Sequence, residues 1–128
     1  MTCLYCSKRP FPSRDLPLLA FIVRKRLINL FYRGQLPNPN AAYGPTKAAA
    51  HWITKRINTE EKKITSFVIH PGWVATDMGN LGASNVGLKQ APVSVQQSAD
   101  GIIQVVDKAS KDTHGGTFWE YNGQPYPW

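Results

Sequence analysis

The chain has 128 residues and only two cysteines, Cys3 and Cys6, which excludes a disulfide framework. Their C-x-x-C spacing has no second pair to complete it, and His51, His70 and His114 are not spaced as finger ligands, so no metal site is expected. No apolar run approaches the roughly 20 residues of a membrane-spanning helix. The longest, Leu16 to Val23, is interrupted by Pro17, and no small-residue cleavage site of a secretory signal follows it. A cytoplasmic chain with reduced thiols and no membrane span is the expectation. There is no internal repeat. At roughly 30 residues per strand–helix–strand step, 128 residues also exclude a complete six-stranded, doubly wound sheet.

Acidic residues are scarce where basic ones are dense. Residues 1–33 carry Lys8, Arg9, Arg14, Arg24, Lys25, Arg26 and Arg33 against Asp15 alone, whereas residues 64–128 carry three Lys/Arg against five Asp/Glu. The net charge of +7 therefore belongs mainly to the first quarter. A basic arm of this kind can attract nucleic acid or anionic lipid through phosphate contacts. Its aromatics (Tyr5, Phe11, Phe21, Phe31 and Tyr32) form no stacking pattern, and no nucleic-acid partner is expected.

Pro10, Pro12 and Pro17 predict an irregular segment over residues 1–17. Leu18 to Val23 is a short apolar run that suits a buried strand, and residues 33–40 are loop by composition. A helix is predicted from near Asn40, its N-cap, to about Thr59. Ala49, Trp52/Ile53 and Arg56/Ile57 form the stripe expected to face inward, with Pro45 removing one hydrogen bond. Trp52 and Trp119 are expected in the core, and His51 and His70 in structural or solvent-facing positions. Ile64 to Ile69 reads as a buried strand stopped by His70-Pro71-Gly72, and Asn80 to Val93 as a loop. Ser94 and Gln97 make a capping box that opens a second helix ending near Ala109, with Val95, Ala99, Ile102, Val105 and Val106 on one side. Thr117 to Tyr121 reads as a last strand, followed by a turn at Asn122-Gly123, with Tyr121, Tyr126 and Trp128 packing the C-terminal tail. Helix, strand, loop, helix, strand is the order of a parallel α/β sheet, and two strands with two helices are only part of one.

Tyr43 and Lys47 are four apart on a predicted helix and so share a face. A phenol titrates near 10 and shuttles protons poorly at neutral pH; a neighbouring ammonium stabilises the phenolate. Such a pair is a sensible general acid–base unit, although the spacing alone is common.

The surrounding residues add specificity. Tyr43-Gly44-Pro45-Thr46-Lys47-Ala48-Ala49 resembles the Y-x-x-x-K active-site helix of the short-chain dehydrogenase/reductase family. Pro71-Gly72-Trp73-Val74-Ala75-Thr76, straight after the predicted strand, resembles that family's P-G-x-V-x-T segment. The Asn-Ala-Ala-Tyr-Gly lead-in, the Thr-Asp-Met-Gly sequence and the Pro-Trp terminus are similar to fungal norsolorinic acid ketoreductase-like reductases. The resemblance covers about residues 35–128 and implies the C-terminal half of a Rossmann-like, doubly wound sheet. It implies an NAD- or NADP-dependent oxidoreductase that reduces a ketone or aldehyde, or oxidises an alcohol, by hydride transfer. Tyr43 would exchange a proton with the small-molecule substrate, and Lys47 would lower the tyrosine pKa and bind the nicotinamide ribose. Pro71, Gly72 and Val74 would lie beside the nicotinamide, Thr76 would contact its carboxamide or phosphate region, and the Asn80–Val93 loop would cover the substrate. The plainer alternative is that Pro71-Gly72 stops a strand and Thr76 caps the next turn.

The family's glycine-rich T-G-x-x-x-G-x-G turn and its N-A-G motif have no counterpart in these 128 residues. Neither has its catalytic serine, since no Ser or Thr lies between Asp15 and Tyr43. Residues 1–34 thus read as a basic, Pro-containing segment foreign to the rest, and residues 35–128 as the C-terminal part of a reductase domain. The expectation is a truncated chain that is inactive alone. The alternative is a non-enzymatic product that associates with a full-length relative through its helices, since family oligomers commonly pair the tyrosine helix.

Overall fold

The computed structural model describes residues 4–6, 18–22 and 42–127. Cys3, most of the basic clusters' segment, the 33–40 loop, Asn40 and Trp128 lie outside the described residues. The elements, in chain order, are β1 (Leu4–Cys6), β2 (Leu18–Ile22), α1 (Tyr43–Glu60), β3 (Thr65–His70), α2 (Asp77–Ser84), α3 (Val95–Lys108), α4 (Lys111–His114), β4 (Phe118–Glu120) and β5 (Pro125–Tyr126). The five strands form one sheet in the order β1-β2-β3-β4-β5. The central strands β2, β3 and β4 are parallel, with Ala20 opposite Phe67 and Val68 opposite Phe118, and the two outer strands are antiparallel to their neighbours.

The sheet carries helices on both faces, as in a partial doubly wound, Rossmann-like fold. Val68 and Phe118 pack against Ala50 of α1 on one face. On the other, Ala20, Phe67 and Ile69 pack against Val105 and Val106 of α3 and against Ala109. Every residue of β3 is buried, which explains why Phe67-Val68-Ile69 within the Ile64–Ile69 reading is continuously rather than alternately apolar.

Several local expectations change. Leu4–Cys6 is a strand rather than irregular, since it finds an antiparallel partner in β2. α1 starts at Tyr43, so Pro45 falls in the first turn, where backbone N–H groups have no intrahelical partner and none is lost. The inward face of α1 is Gly44, Lys47, Ala50, His51 and Thr54, not the Trp52/Ile53 stripe. Small residues let the helix approach the strands closely, and the buried Thr54 hydroxyl is satisfied by donating to Ala50 O at 2.7 Å. Trp52 is turned outward, 66% exposed, with the Arg56 guanidinium 5.7 Å from its ring centroid. His51 and His70 are both buried.

Part of the expected 80–93 loop is helical, because Thr76 caps α2 by accepting from Gly79 N at 3.2 Å. Ser94 caps α3 as expected, accepting from Gln97 N at 3.1 Å. Its buried face is Ser98, Val105 and Val106 with Ile102 beside them, while Val95 and Ala99 are exposed. Trp119 is half-buried and stacks on His114, their ring centroids 4.2 Å apart. The Asn122-Gly123 turn forms, with Gly123 at φ 82° and Gly123 N donating to Glu120 O.

Candidate active site

The topology determines at which end of the sheet the first turns of α1 lie. α1 enters β3 through residues 61–64 only, so its C-terminus lies at the amino end of β3 and its N-terminus beyond the carboxyl end. The 18 residues of α1 span about 27 Å, and the six of β3 about 20 Å. Ala50 lies level with Val68 and Phe118, and the His51 ring meets the Phe118 ring edge-on with centroids 4.8 Å apart. Tyr43 and Lys47 sit one to two turns further toward the carboxyl end, where ligands of open α/β sheets bind.

Tyr43 is half-buried and Lys47 is only 3% exposed, with its ammonium 5.0 Å from the Tyr43 ring centroid. The pair is thus brought together on the inward side of α1, as the spacing predicts. Thr46 Oγ1 donates to Tyr43 O at 2.6 Å and steadies this first turn. One turn deeper, burial first and Lys55 second push the His51 imidazole down to about 4, so it is neutral at pH 7. Being buried against Phe118, it serves packing.

The second motif continues β3 without a break. His70 is buried, its ring 6.1 Å from that of Tyr126. Pro71 follows, and Gly72 takes φ 83°, a left-handed conformation that turns the chain out of the sheet. Val74 then makes a parallel bridge to Val93, with Ala75 N donating to Val93 O and Val93 N to Trp73 O. The 74–93 segment is therefore a strap closed at its base. Within it Trp73 Nε1 donates to Gly79 O, and Asn80 Oδ1 accepts from Ala91 N. Met78, Leu81, Val86 and Leu88 are exposed on this strap. Thr76 is exposed and its oxygen caps α2, so the capping reading of Thr76 describes at least part of its work.

Sequence reasoning missed three contributors: Ser98, Gly101 and Tyr121. Ser98 Oγ donates to Pro71 O at 2.7 Å, and Tyr121 N donates to His70 O at 2.9 Å. The available signal was that Ser98 and Gly101 interrupt the apolar stripe of α3, but nothing local says what they face.

A phenol with a buried ammonium over its ring, at the carboxyl end of parallel strands and with a Pro–Gly turn leaving the central one, is an arrangement that can exchange a proton with a bound group. As a test of fit to a nicotinamide cofactor, this donor set suits the nicotinamide end, and the described residues include no glycine-rich phosphate turn. Among the described residues, no group of His, Cys, Asp and Glu could hold a metal ion, and no helix is long and apolar enough to cross a membrane.

The comparisons with known proteins point the same way. No family model matches the chain. The norsolorinic acid ketoreductase nor1 of Dothistroma septosporum is 45% identical over 91 residues, which are 70% of this chain and 34% of that protein. The short-chain dehydrogenase RED3 of Pyricularia oryzae is 34% identical over 87 residues, 67% of this chain and 35% of that one. Among solved structures, an NADPH-bound carbonyl reductase from chicken fatty liver superimposes with a TM-score of 0.67 at 27% identity, covering 87% of this chain and 42% of that one. The chain is a short-chain dehydrogenase/reductase relative, similar to the fungal norsolorinic acid ketoreductases and matching their C-terminal part. It spans about a third of the length of the curated relatives it matches first.

Proposed function

We propose that residues 35–128 are the C-terminal, proton-transferring part of an NADP(H)-dependent short-chain reductase domain acting on a small carbonyl or alcohol substrate. The observation that carries this reading is the Tyr43/Lys47 pair, buried at Lys47 and 5.0 Å from ammonium to ring centroid, at the carboxyl end of a parallel sheet. Tyr43 gives its phenolic proton to the substrate oxygen in reduction and takes one back in oxidation. Lys47 favours the phenolate that is left. The residues that would hold the nicotinamide end are Tyr43, Lys47, Pro71, Gly72, Val74 and Thr76. When bound, NADP(H) supplies or accepts the hydride. The NADPH carried by the chicken carbonyl reductase favours NADP over NAD.

Because the 128 residues include no glycine-rich turn and no Ser or Thr between Asp15 and Tyr43, the chain by itself binds cofactor weakly and does not turn over. A cytoplasmic setting belongs to the same reading. The test joins residues 42–127 to the glycine-rich half of a fungal ketoreductase and follows ketone-dependent NADPH oxidation. Tyr43→Phe is expected to lower kcat about a thousandfold with cofactor binding retained. Equal rates with and without the phenol would overturn the assignment.

A second reading is association with another reductase subunit through α1, favoured by Trp52 and Ile53 exposed on its outer side. Clean separation of this chain from a full-length relative on size-exclusion chromatography would count against it.

A further inference from the structure

The turn that leaves β3 is held from three elements at once. Tyr121 N, just past β4, donates to His70 O; Ser98 Oγ, on α3, donates to Pro71 O; and Val93 N donates to Trp73 O. Gly72 lies between these anchors. A Cβ built on it would stand 2.8 Å from Tyr121 Cε1 and 3.2 Å from Val93 Cγ2. The opposite side of the same tyrosine meets α3, where a Cβ on Gly101 would stand 2.8 Å from Tyr121 Cδ2 and 2.4 Å from Tyr121 O. Real Cβ atoms essentially never approach within 3.0 Å, so a side chain at Gly72 would displace the Tyr121 ring, and one at Gly101 would displace both its ring and its carbonyl. The ring is only half-buried. It is wedged between the helix and the turn at the mouth of the sheet rather than sunk in either hydrophobic cluster.

We propose that Tyr121 and Ser98 are positioning residues: the Tyr121 ring, seated between Gly72 and Gly101, and the Ser98 hydroxyl, bonded to Pro71 O, together hold the Pro71–Val74 backbone in the conformation that receives the nicotinamide. The cofactor part of this inference rests on the proposed function; the mechanical part does not. The phenol oxygen is not needed for it, because both glycines meet ring carbons or the backbone. Any flat six-membered ring of the same width fills the slot, and a small side chain leaves it open. Ser98 acts on the adjacent carbonyl through a single hydrogen bond, so its contribution is smaller.

Hydrogen exchange on the full 128-residue chain tests the mechanical part. The amides of Ala75 and Val93 report on the turn, and those of Val68 and Gly116, which donate to Thr117 O and Ser66 O, serve as controls deeper in the sheet. Tyr121→Ala is expected to speed exchange at Ala75 and Val93 by about tenfold or more while leaving Val68 and Gly116 within about twofold. Tyr121→Phe should match the parent chain, and Ser98→Ala should give a smaller change at the same two amides. Should Tyr121→Ala not fold, Ser98→Ala alone decides the mechanical part. Acceleration of all four amides together would make these ordinary packing residues and overturn the proposal, as would no change at any of them. Titration with reduced nicotinamide mononucleotide, followed by the amide shifts of Gly72 to Val74, tests the rest. Tyr121→Ala is expected to weaken this binding about tenfold and Tyr121→Phe to retain it. Equal affinity for Tyr121→Ala and the parent chain would overturn the cofactor part of the proposal. Failure of the parent chain to bind would instead sink the cofactor reading, with the exchange contrast still deciding whether the turn is held as described.

Discussion

At the amino end of β3 a lysine closes the fold inward, whereas at the carboxyl end three elements hold a glycine turn at the mouth of the sheet. Lys111 Nζ donates to Asn58 O at 2.6 Å, Ile64 O at 2.7 Å, Asn58 Oδ1 at 2.8 Å and Glu61 O at 3.1 Å. It thereby satisfies carbonyls at the end of α1 and in the connection to β3, where a cation is also favoured by the helix dipole. Its donors are consumed by structure. At the other end, Pro71–Val74 is fixed from outside by Ser98, Tyr121 and Val93, and the first turns of α1, with the proposed Tyr43/Lys47 pair, lie toward the same end of the sheet. One end of the strand thus contributes stability, and the other contributes a fixed surface.

Substitutions can break this contrast. The largest stability effect should come at the carboxyl end from Gly79→Ala, since a Cβ there would lie 1.8 Å from Val74 O, a backbone atom that cannot move aside without opening the strap. A loss of about 3 kcal/mol is expected, read by urea denaturation, and a change below about 1 kcal/mol would show the strap to be loosely held. Next, Lys111→Met, which keeps the stem and removes the donors, should cost about 2 kcal/mol and loosen the amides around Ile64 without changing those at Ala75 and Val93. Loosening at both ends would mean that the two are one cooperative unit.

Acid sharpens the comparison further. The folded His51 imidazole is held at about 4 against an ordinary value of 6.5, so the unfolded chain binds the extra proton first. Stability tied to His51 is therefore complete above pH 6.5 and is lost as pH falls from 6.5 toward 4. The loss should be on the order of 1 kcal/mol once solvent screening is allowed for, and His51→Leu should flatten the slope. The smallest effect is expected from Trp52→Ala, below about 0.5 kcal/mol, because its ring faces solvent over Arg56. A loss of several kcal/mol would instead indicate that α1 is covered by another subunit in solution.

Much of the frame can be read from residues in order. The strand read over Ile64–Ile69 appears one residue later, as Thr65–His70, with the stop falling at Pro71-Gly72 rather than at His70, while the Ser94 cap and the Asn122-Gly123 turn appear where their neighbours predict. The face of α1 does not follow the same logic. Hydropathy favours Trp52 and Ile53, but the sheet accepts Gly44, Ala50 and Thr54, because close approach to the strands rewards small volume over apolar area. α3 differs for the same reason at Ser98 and Gly101, which face a carbonyl and a ring rather than a void to be filled. Helix α2 was hidden by its glycines and Asn80, residues that read as loop until Thr76 caps them.

By itself, the sequence determined the alternation of helix and strand, the pairing of Tyr43 with Lys47 on one helical face, and the end of the central strand at Pro71-Gly72. These depend on backbone periodicity and on residues within one or two turns of each other. Only the tertiary structure decided which side of each helix is buried, and that Gly72, Gly101 and Tyr121 meet. Residues so far apart in the chain share no local pattern, and the width of a slot between two backbones exists only once the elements have packed.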